Sequence, residues 1–106
     1  MMYLTNNHNI YTMLDLQYMH NITIMPVSEA VVSRLSWIPM IYRNDQDWPD
    51  IADQMRSIFD RPIQEVDPST HIQLDIGDRL YIPILQYDPD VRDRRVIHFI
   101  EVRVDV

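Results

Sequence analysis

The stretch "HIQLDIGDRLYIPI", residues 71–84, decides the fold, because two strand-like runs meet there at the only glycine in a chain of 106 residues. Residues 71–76 alternate apolar and polar side chains, and residues 79–85 form a denser apolar run, which favours two β-strands. The apolar positions of the first run are Ile72, Leu74 and Ile76. Glycine accepts a positive φ without a steric penalty. The sequence therefore predicts a turn with positive φ at Gly77.

A strand and the clearest helix of the sequence precede this turn. Residues 37–43, "WIPMIYR", are typical of a strand, but Pro39 lacks the N–H that a ladder needs and favours an edge or a bulge. Residues 44–59 carry apolar side chains at helical spacing. We expect one buried helical face, comprising Trp48, Ile51, Ala52, Met55, Ile58 and Phe59. Residues 60–62 break this helix, and residues 63–66 are predicted to form a second short helical turn.

The flanking segments complete a single domain, which we expect to be α+β. Residues 21–25 alternate and are β-branched, and a short helix is predicted to follow from Ser28. Residues 94–106, "RRVIHFIEVRVDV", are the longest predicted strand. Residues 1–20 have apolar side chains without a clean period, which predicts an extended arm that becomes ordered against another surface.

Composition limits the class of partner. Sixteen acidic side chains against nine arginines give a net charge of −7, which repels phosphate backbones and anionic membranes. We therefore expect no direct nucleic-acid or membrane binding. The absence of cysteine excludes disulfides, thiolate metal sites and cysteine nucleophiles. The amino end predicts neither a signal peptide nor a membrane span, so we expect the protein to be made in the host cytoplasm.

No pattern in the sequence points to a reaction or a cofactor. The four histidines lack the spacing of a shared metal site. Asp88 and Asp90 resemble the start of a calcium loop, but Arg92 takes the third ligand position. The aspartates between residues 45 and 53 fit helix capping better than an acid–base pair. A single glycine argues against a glycine-rich phosphate loop. The chain is therefore predicted not to be an enzyme and to hold neither metal nor cofactor.

Residues 37–83 resemble a LysM-type module. Trp48-x-x-Ile51-Ala52 opens the predicted helix, and Gly77-x-x-Leu80-x-Ile82-Pro83 closes the unit. The resemblance implies a compact strand–helix–helix–strand core over this range. It also implies two uses, because such modules bind N-acetylglucosamine polymers of peptidoglycan, and LysM-like folds occur in tail and baseplate proteins of contractile bacteriophages. The chain departs from the glycan-binding pattern at Asn44-Asp45-Gln46-Asp47, where a glycine is usual, and at Val66-Asp67-Pro68, where an Asn is usual.

These observations favour a non-enzymatic structural component of a virion, most simply a bacteriophage tail or baseplate protein whose partners are other protein subunits. The long strand and the arm are the predicted contacts. The candidate interface residues are Tyr3, Tyr11, Leu14, Phe99, Glu101 and Arg103. The first alternative is a peptidoglycan-binding module, and the second is a small acidic inhibitor that mimics nucleic acid. The candidate groove for a glycan or another partner comprises Asn44, Asp45, Gln46, Asp47, Thr70 and His71.

Overall fold

The computed structural model describes residues 1–14, 21–43, 46–87, 90 and 95–105. They form a mixed sheet of six strands with two helices, so the predicted α+β class is confirmed. The strands are β1 (Met2–Thr5), β2 (Asn21–Val27), β3 (Ile38–Tyr42), β4 (Glu65–Val66), β5 (Arg79–Tyr87) and β6 (Arg95–Asp105). The helices are α1 (Glu29–Ser33) and α2 (Trp48–Phe59), and a 3-10 turn spans Ile10–Thr12.

The strands lie in the order β2-β6-β5-β1-β3-β4. β6 pairs antiparallel with both β2 and β5, whereas β1 pairs parallel with β5 and with β3, and β3 pairs parallel with β4. The carboxyl ends of β1, β3 and β4 therefore meet at one edge of the sheet.

The prediction that residues 1–20 form an extended arm is wrong for residues 2–5, because they form β1 inside the sheet. Tyr3 is in register with Leu80 of β5 on one side and with Ile38 of β3 on the other. Leu4 is fully buried. Further along, Leu14 forms an isolated bridge with Leu74. Residues 15–20, the rest of the predicted arm, lie outside the described residues. Residues 1–14 thus pack on the chain's own domain.

Each face of the sheet has its own apolar layer. The face that carries the helices buries Leu4, Val32, Trp37, Ile41, Ile51, Ala52, Met55, Ile63, Tyr81 and Phe99. The opposite face buries Met13, Tyr42, Val66, Ile72, Leu74, Leu80, Ile82, Val102 and Val104. Both layers take residues from before 37 and after 83, so the core is larger than the compact unit predicted at residues 37–83.

The predicted turn at Gly77 is confirmed, with φ of 90°. Gly77 N–H donates to the Val104 carbonyl at 2.8 Å, and Val104 N–H donates to the Asp78 carbonyl at 3.1 Å. The Asp78 carboxylate accepts from Asp75 N–H at 2.9 Å and from the amino group of Met1 at 2.7 Å. The preceding run is not the predicted strand, because Leu74 makes only the single bridge and Ile76 is exposed.

The region between β3 and β5 differs from the strand–helix–helix–strand arrangement of the resemblance. Asp60 ends α2 in the left-handed conformation, with φ of 48°, and donates its N–H to the Arg56 carbonyl at 3.1 Å. The chain then forms β4 where a second helical turn was predicted. β3 and β5 are not neighbours, because β1 lies between them. The LysM resemblance is therefore not confirmed.

The prolines of β3 and α2 fit their places. Pro39 is in register with Leu4, while β4 pairs only with Ile41 and Tyr42, so β3 has a single neighbour at Pro39. The missing N–H costs no ladder bond on that open side. In α2, Pro49 lies in the first turn. Of the predicted face of α2, Ile51, Ala52 and Met55 are buried, whereas Trp48, Ile58 and Phe59 are half-buried.

Candidate functional site

The β6 residues that were predicted to contact other subunits lie inside the domain. Phe99 is 2% exposed and packs against Phe59, with ring centroids 5.7 Å apart. Glu101 is 3% exposed. The alternation of β6 was interpreted as one face for the domain and one for a neighbour, but on the second face Phe99 packs in the apolar layer under the helices, and α1 contacts β6. Phe99 and Glu101 are therefore not available as interface residues.

Glu101 belongs to a buried hydrogen-bonded group. The Tyr81 hydroxyl donates to the Glu101 carboxylate at 2.8 Å, and the Arg103 guanidinium, which is partly exposed, also pairs with it. Burial raises the pKa of Glu101, but the hydrogen bonds from Arg103 and Tyr81 outweigh burial and leave the pKa below its usual value. Burial and the bond to Glu101 raise the pKa of the Tyr81 hydroxyl. This group stabilises the sheet rather than forming an open site.

Three further predicted interface residues have different environments. Tyr3 and Leu14 are half-buried against the apolar layer opposite the helices. Burial, followed by the nearby carboxylates of Asp78 and Asp75, raises the pKa of Tyr3. Tyr11 on the 3-10 turn is 73% exposed. Of these three, only Tyr11 offers most of its side chain to another molecule, so the arm and β6 do not supply the interface that the sequence suggested.

β2 is an exposed edge strand of the described sheet. Its sequence, "NITIMPV", contains no charged residue, and its side chains alternate between exposed and half-buried positions over most of its length. Ile24, at its centre, is 60% exposed. Edge strands are normally protected by charge, shortness or proline, because their backbone groups can pair with another chain. Here the only such device within the strand is Pro26.

The opposite edge strand of the described sheet, β4, is protected against pairing with another chain. β4 has two residues, and its Glu65 forms an ion pair with Arg56. Just beyond β4, Asp67 lies 3.5 Å from Arg43. Short length and paired charges are the usual means of preventing strand addition. The contrast singles out β2 as the edge available to a partner.

An apolar strip continues from β2 across the sheet. Ile24 is in register with Val102, and Pro26 with Ile100, which in turn faces Ile82 of β5. Residues in register across a sheet have side chains on the same face. Ile100 and Ile84 are only half-buried. We call β2 together with Ile84 and Ile100 the β2 surface.

A polar groove of about 520 Å³ lies at the carboxyl ends of β1, β3 and β4. In open sheets with parallel strands, ligand sites commonly occupy this position. The lining residues are Asn6, Asn7, His8, Asn9, Thr12, Tyr42, Pro68, Thr70 and His71. None of them carries a fixed charge, in a chain in which 24% of residues are charged.

Asn6 and Tyr42 shape the floor of this groove. The Asn6 carboxamide accepts from Tyr42 N–H at 2.7 Å and donates to the Tyr42 carbonyl at 3.0 Å. Tyr42 is 5% exposed, and its hydroxyl has no hydrogen-bond partner among the described residues. Burial raises the pKa of this hydroxyl. Buried polar groups are normally paired, so the Tyr42 hydroxyl is an exception among the described residues.

The predicted glycan groove corresponds to this site only in part. Thr70 and His71 line it, whereas Gln46 and Asp47 are exposed outside it. Asn44 and Asp45 lie outside the described residues. The opposite wall, residues 6–9, was missed because it was assigned to an arm. The sequence feature that could have indicated this wall is "NNHN", residues 6–9, an amide-rich run directly after the short strand sequence "MYLT".

The described residues contain no group of three or more His, Asp or Glu side chains that could hold a metal ion. None of the helices there is long and apolar enough to span a membrane.

Comparison with known proteins gives a fold likeness. No protein-family model matches the chain, and no curated protein matches it. Among solved structures, the chain is similar to B116 of Sulfolobus turreted icosahedral virus, with a TM-score of 0.62. The likeness covers 96% of this chain and 97% of B116, at 15% sequence identity. The chain therefore shares the fold of a viral protein.

Proposed function

We propose that this chain is a non-enzymatic assembly protein of a virus particle. A strand of a neighbouring protein pairs with the edge strand β2 and so joins the two proteins. The observation that carries the proposal is that the uncharged strand β2 lies at the edge of the sheet formed by the described residues, with Ile24 60% exposed at its centre. The fold likeness to a viral protein over nearly the whole of both chains supports the viral setting.

Strand addition suits the β2 surface on physical grounds. An added strand pairs with backbone groups on the outer edge of β2, and its side chains on one face lie next to Ile24, which continues the apolar strip of that face. No charge on β2 has to be desolvated when a partner binds. Apolar burial and backbone hydrogen bonds then act together, which explains how a chain with a net charge of −7 can associate stably with another protein.

The kind of particle is a finer part of the proposal. The sequence resemblance implied a bacteriophage tail or baseplate, and the proposed location is the virion. The proteins that copurify with the chain in purified particles decide between a tail, a baseplate and another component.

Incorporation into particles tests the proposal. Tagged wild-type, Ile24→Lys and Val31→Lys chains would be expressed in virus-producing cells, and their amounts in purified particles measured by mass spectrometry. Val31 is the matched control because it is also exposed and apolar but lies on α1, which packs on the opposite face of the sheet. Ile24→Lys should lower incorporation about tenfold or more, the factor that corresponds to the loss of about 1.4 kcal/mol.

Two outcomes would overturn it. The first is that wild-type chain is missing from the particles, and the second is that Ile24→Lys enters them as well as Val31→Lys does. Circular dichroism of both purified variants shows whether they remain folded.

A further inference from the structure

The polar groove is a feature that the assembly proposal does not use. It lies at the carboxyl ends of β1, β3 and β4, whereas the β2 surface lies at the opposite end of the sheet order. Its two walls come from residues 6–12 and 68–71, which are far apart in sequence. Two hydrogen bonds between Asn6 and Tyr42 fix these two lining residues relative to each other.

Several polar side chains in the groove are free to bind. Asn7 accepts from Asn9 N–H through its carboxamide oxygen at 2.9 Å, which leaves its amide donors available. Among the described residues, the side chains of His8, Asn9 and His71 have no hydrogen-bond partner, and all three are exposed. Carboxamides donate and accept together, and neutral imidazoles do the same.

The charge of the described lining residues favours one class of ligand over others. None of them is an arginine or carries a carboxylate, so they offer no countercharge to an anion or to a cation. Two backbone N–H groups of this wall are used internally, because Asn7 N–H donates to Thr5 Oγ1 and Asn9 N–H to Asn7 Oδ1, which leaves fewer donors for an anion. The ligand that remains is neutral and carries many groups that both donate and accept.

Saccharides have this chemistry, since each hydroxyl donates one hydrogen bond and accepts others. They also bind through the apolar C–H face of the ring, which packs on an exposed aromatic side chain. Tyr11 does not itself line the groove, but it is 73% exposed and directly precedes the lining residue Thr12 in the sequence. Ligand pockets usually combine aromatic side chains with a small number of polar groups that orient the ligand.

We propose that the groove binds a neutral saccharide, with Asn9, Thr70 and His71 contacting hydroxyl groups and Tyr11 packing on the ring. The site differs from the predicted glycan groove, because one wall is formed by residues 6–12 instead of residues 44–47. The inference stands independently of the assembly proposal.

Nuclear magnetic resonance titration tests it. The ¹⁵N-labelled full chain would be titrated with neutral oligosaccharides of N-acetylglucosamine, glucose, mannose and galactose, and separately with inorganic phosphate and Zn²⁺. At least one oligosaccharide should shift the amide signals of residues 6–12 and 70–71 saturably, with Kd below about 1 mM. His71→Ala and Tyr11→Ala should each weaken binding about tenfold, as expected for the loss of roughly 1.4 kcal/mol. His98→Ala is the matched control, because His98 is an exposed histidine on β6 outside the groove.

The inference is overturned if no oligosaccharide of the panel causes saturable shifts, or if His71→Ala binds as tightly as His98→Ala. Stronger saturable shifts of the groove residues with phosphate or Zn²⁺ than with any sugar would also overturn it. The ¹⁵N spectrum of each variant shows directly whether it is folded. Ile24→Lys should bind the sugar normally and His71→Ala should enter particles normally, so failure of this inference and failure of the assembly proposal are distinguishable.

Discussion

The carboxamide of Asn6 forms two hydrogen bonds with the backbone of Tyr42, accepting at 2.7 Å and donating at 3.0 Å. The side chain thus takes the place of a backbone pair just beyond β1, where the parallel pairing of β1 with β3 ends. Both residues are buried, so the two bonds are shielded from water. This contact joins the end of the central strand to the floor of the groove.

Asn6→Ala should lower the free energy of unfolding by about 2–4 kcal/mol, because it leaves two buried backbone groups of Tyr42 unpaired. Urea denaturation at neutral pH measures the change. Asn9→Ala is the control, since Asn9 is exposed, and it should stay within about 0.5 kcal/mol of the wild type. Equal stability of Asn6→Ala and Asn9→Ala would show that the Asn6 bonds do not hold β1 and β3 together.

Glu101 should make the free energy of unfolding depend on pH. Its pKa in the folded chain lies below the ordinary value, because the bonds from Arg103 and Tyr81 outweigh burial. A carboxylate with a lowered pKa contributes stability above its unfolded pKa of about 4.3, and that contribution is lost as the pH falls through the folded pKa. The stability difference between wild type and Glu101→Gln should therefore be largest near neutral pH and shrink below about pH 4. Urea midpoints across this range test the prediction, and a pH-independent difference would contradict it.

Substitutions of Gly77 should affect stability through backbone conformation alone. Its φ is 90°, and a Cβ built there would meet no atom within 4 Å. Gly77→Val should cost about 1–3 kcal/mol because a β-branched residue strains at positive φ, and Gly77→Asn should cost less. Thermal unfolding of the two variants gives the order. If valine is tolerated as well as asparagine, the turn does not require the conformation seen at Gly77.

The two tryptophans should differ in their effect on stability. Trp37 is buried, donates its indole N–H to the Val32 carbonyl at 2.9 Å, and lies under Arg61, whose guanidinium carbon is 3.6 Å from the ring centroid. Trp48 on α2 is only half-buried. Trp37→Ala should cost about 3–5 kcal/mol, the usual range for a buried tryptophan, and Trp48→Ala clearly less. Chemical denaturation of both variants measures the difference, and the reverse order would place the main packing contact on α2.

The sequence pattern correctly predicted those elements that depend mainly on neighbouring residues in the chain. Residues 48–59 form a helix because apolar side chains recur at helical spacing, and Gly77 turns because no other residue type accepts its φ so readily. β1 could not be predicted in this way. Four residues show no period, and their place is fixed by partners at 38–40 and 79–81, which are distant in sequence.

The candidate site was partly missed for the same reason. Thr70 and His71 were named, but the opposite wall, residues 6–12, joins them only through the placement of β1. The interface prediction for Phe99 and Glu101 failed because an alternating strand does not reveal whether its second face meets a neighbour or its own domain. Here Phe99 on that face packs in the apolar layer to which α1 and α2 contribute.

Leu4 and Ile24 are both apolar strand residues, and comparing them separates the interior of the domain from its proposed interface. Leu4 is fully buried between β5 and β3, whereas Ile24 is 60% exposed. Leu4→Ala should lower the free energy of unfolding by about 2–5 kcal/mol because it opens a cavity in the core. Ile24→Ala should change it by less than about 0.5 kcal/mol, since little of its surface is buried within the chain. Urea denaturation of the isolated variants gives both values. If Ile24→Ala destabilises the chain as strongly as Leu4→Ala, Ile24 contributes to the chain's own core, and the β2 surface is not free to receive a partner.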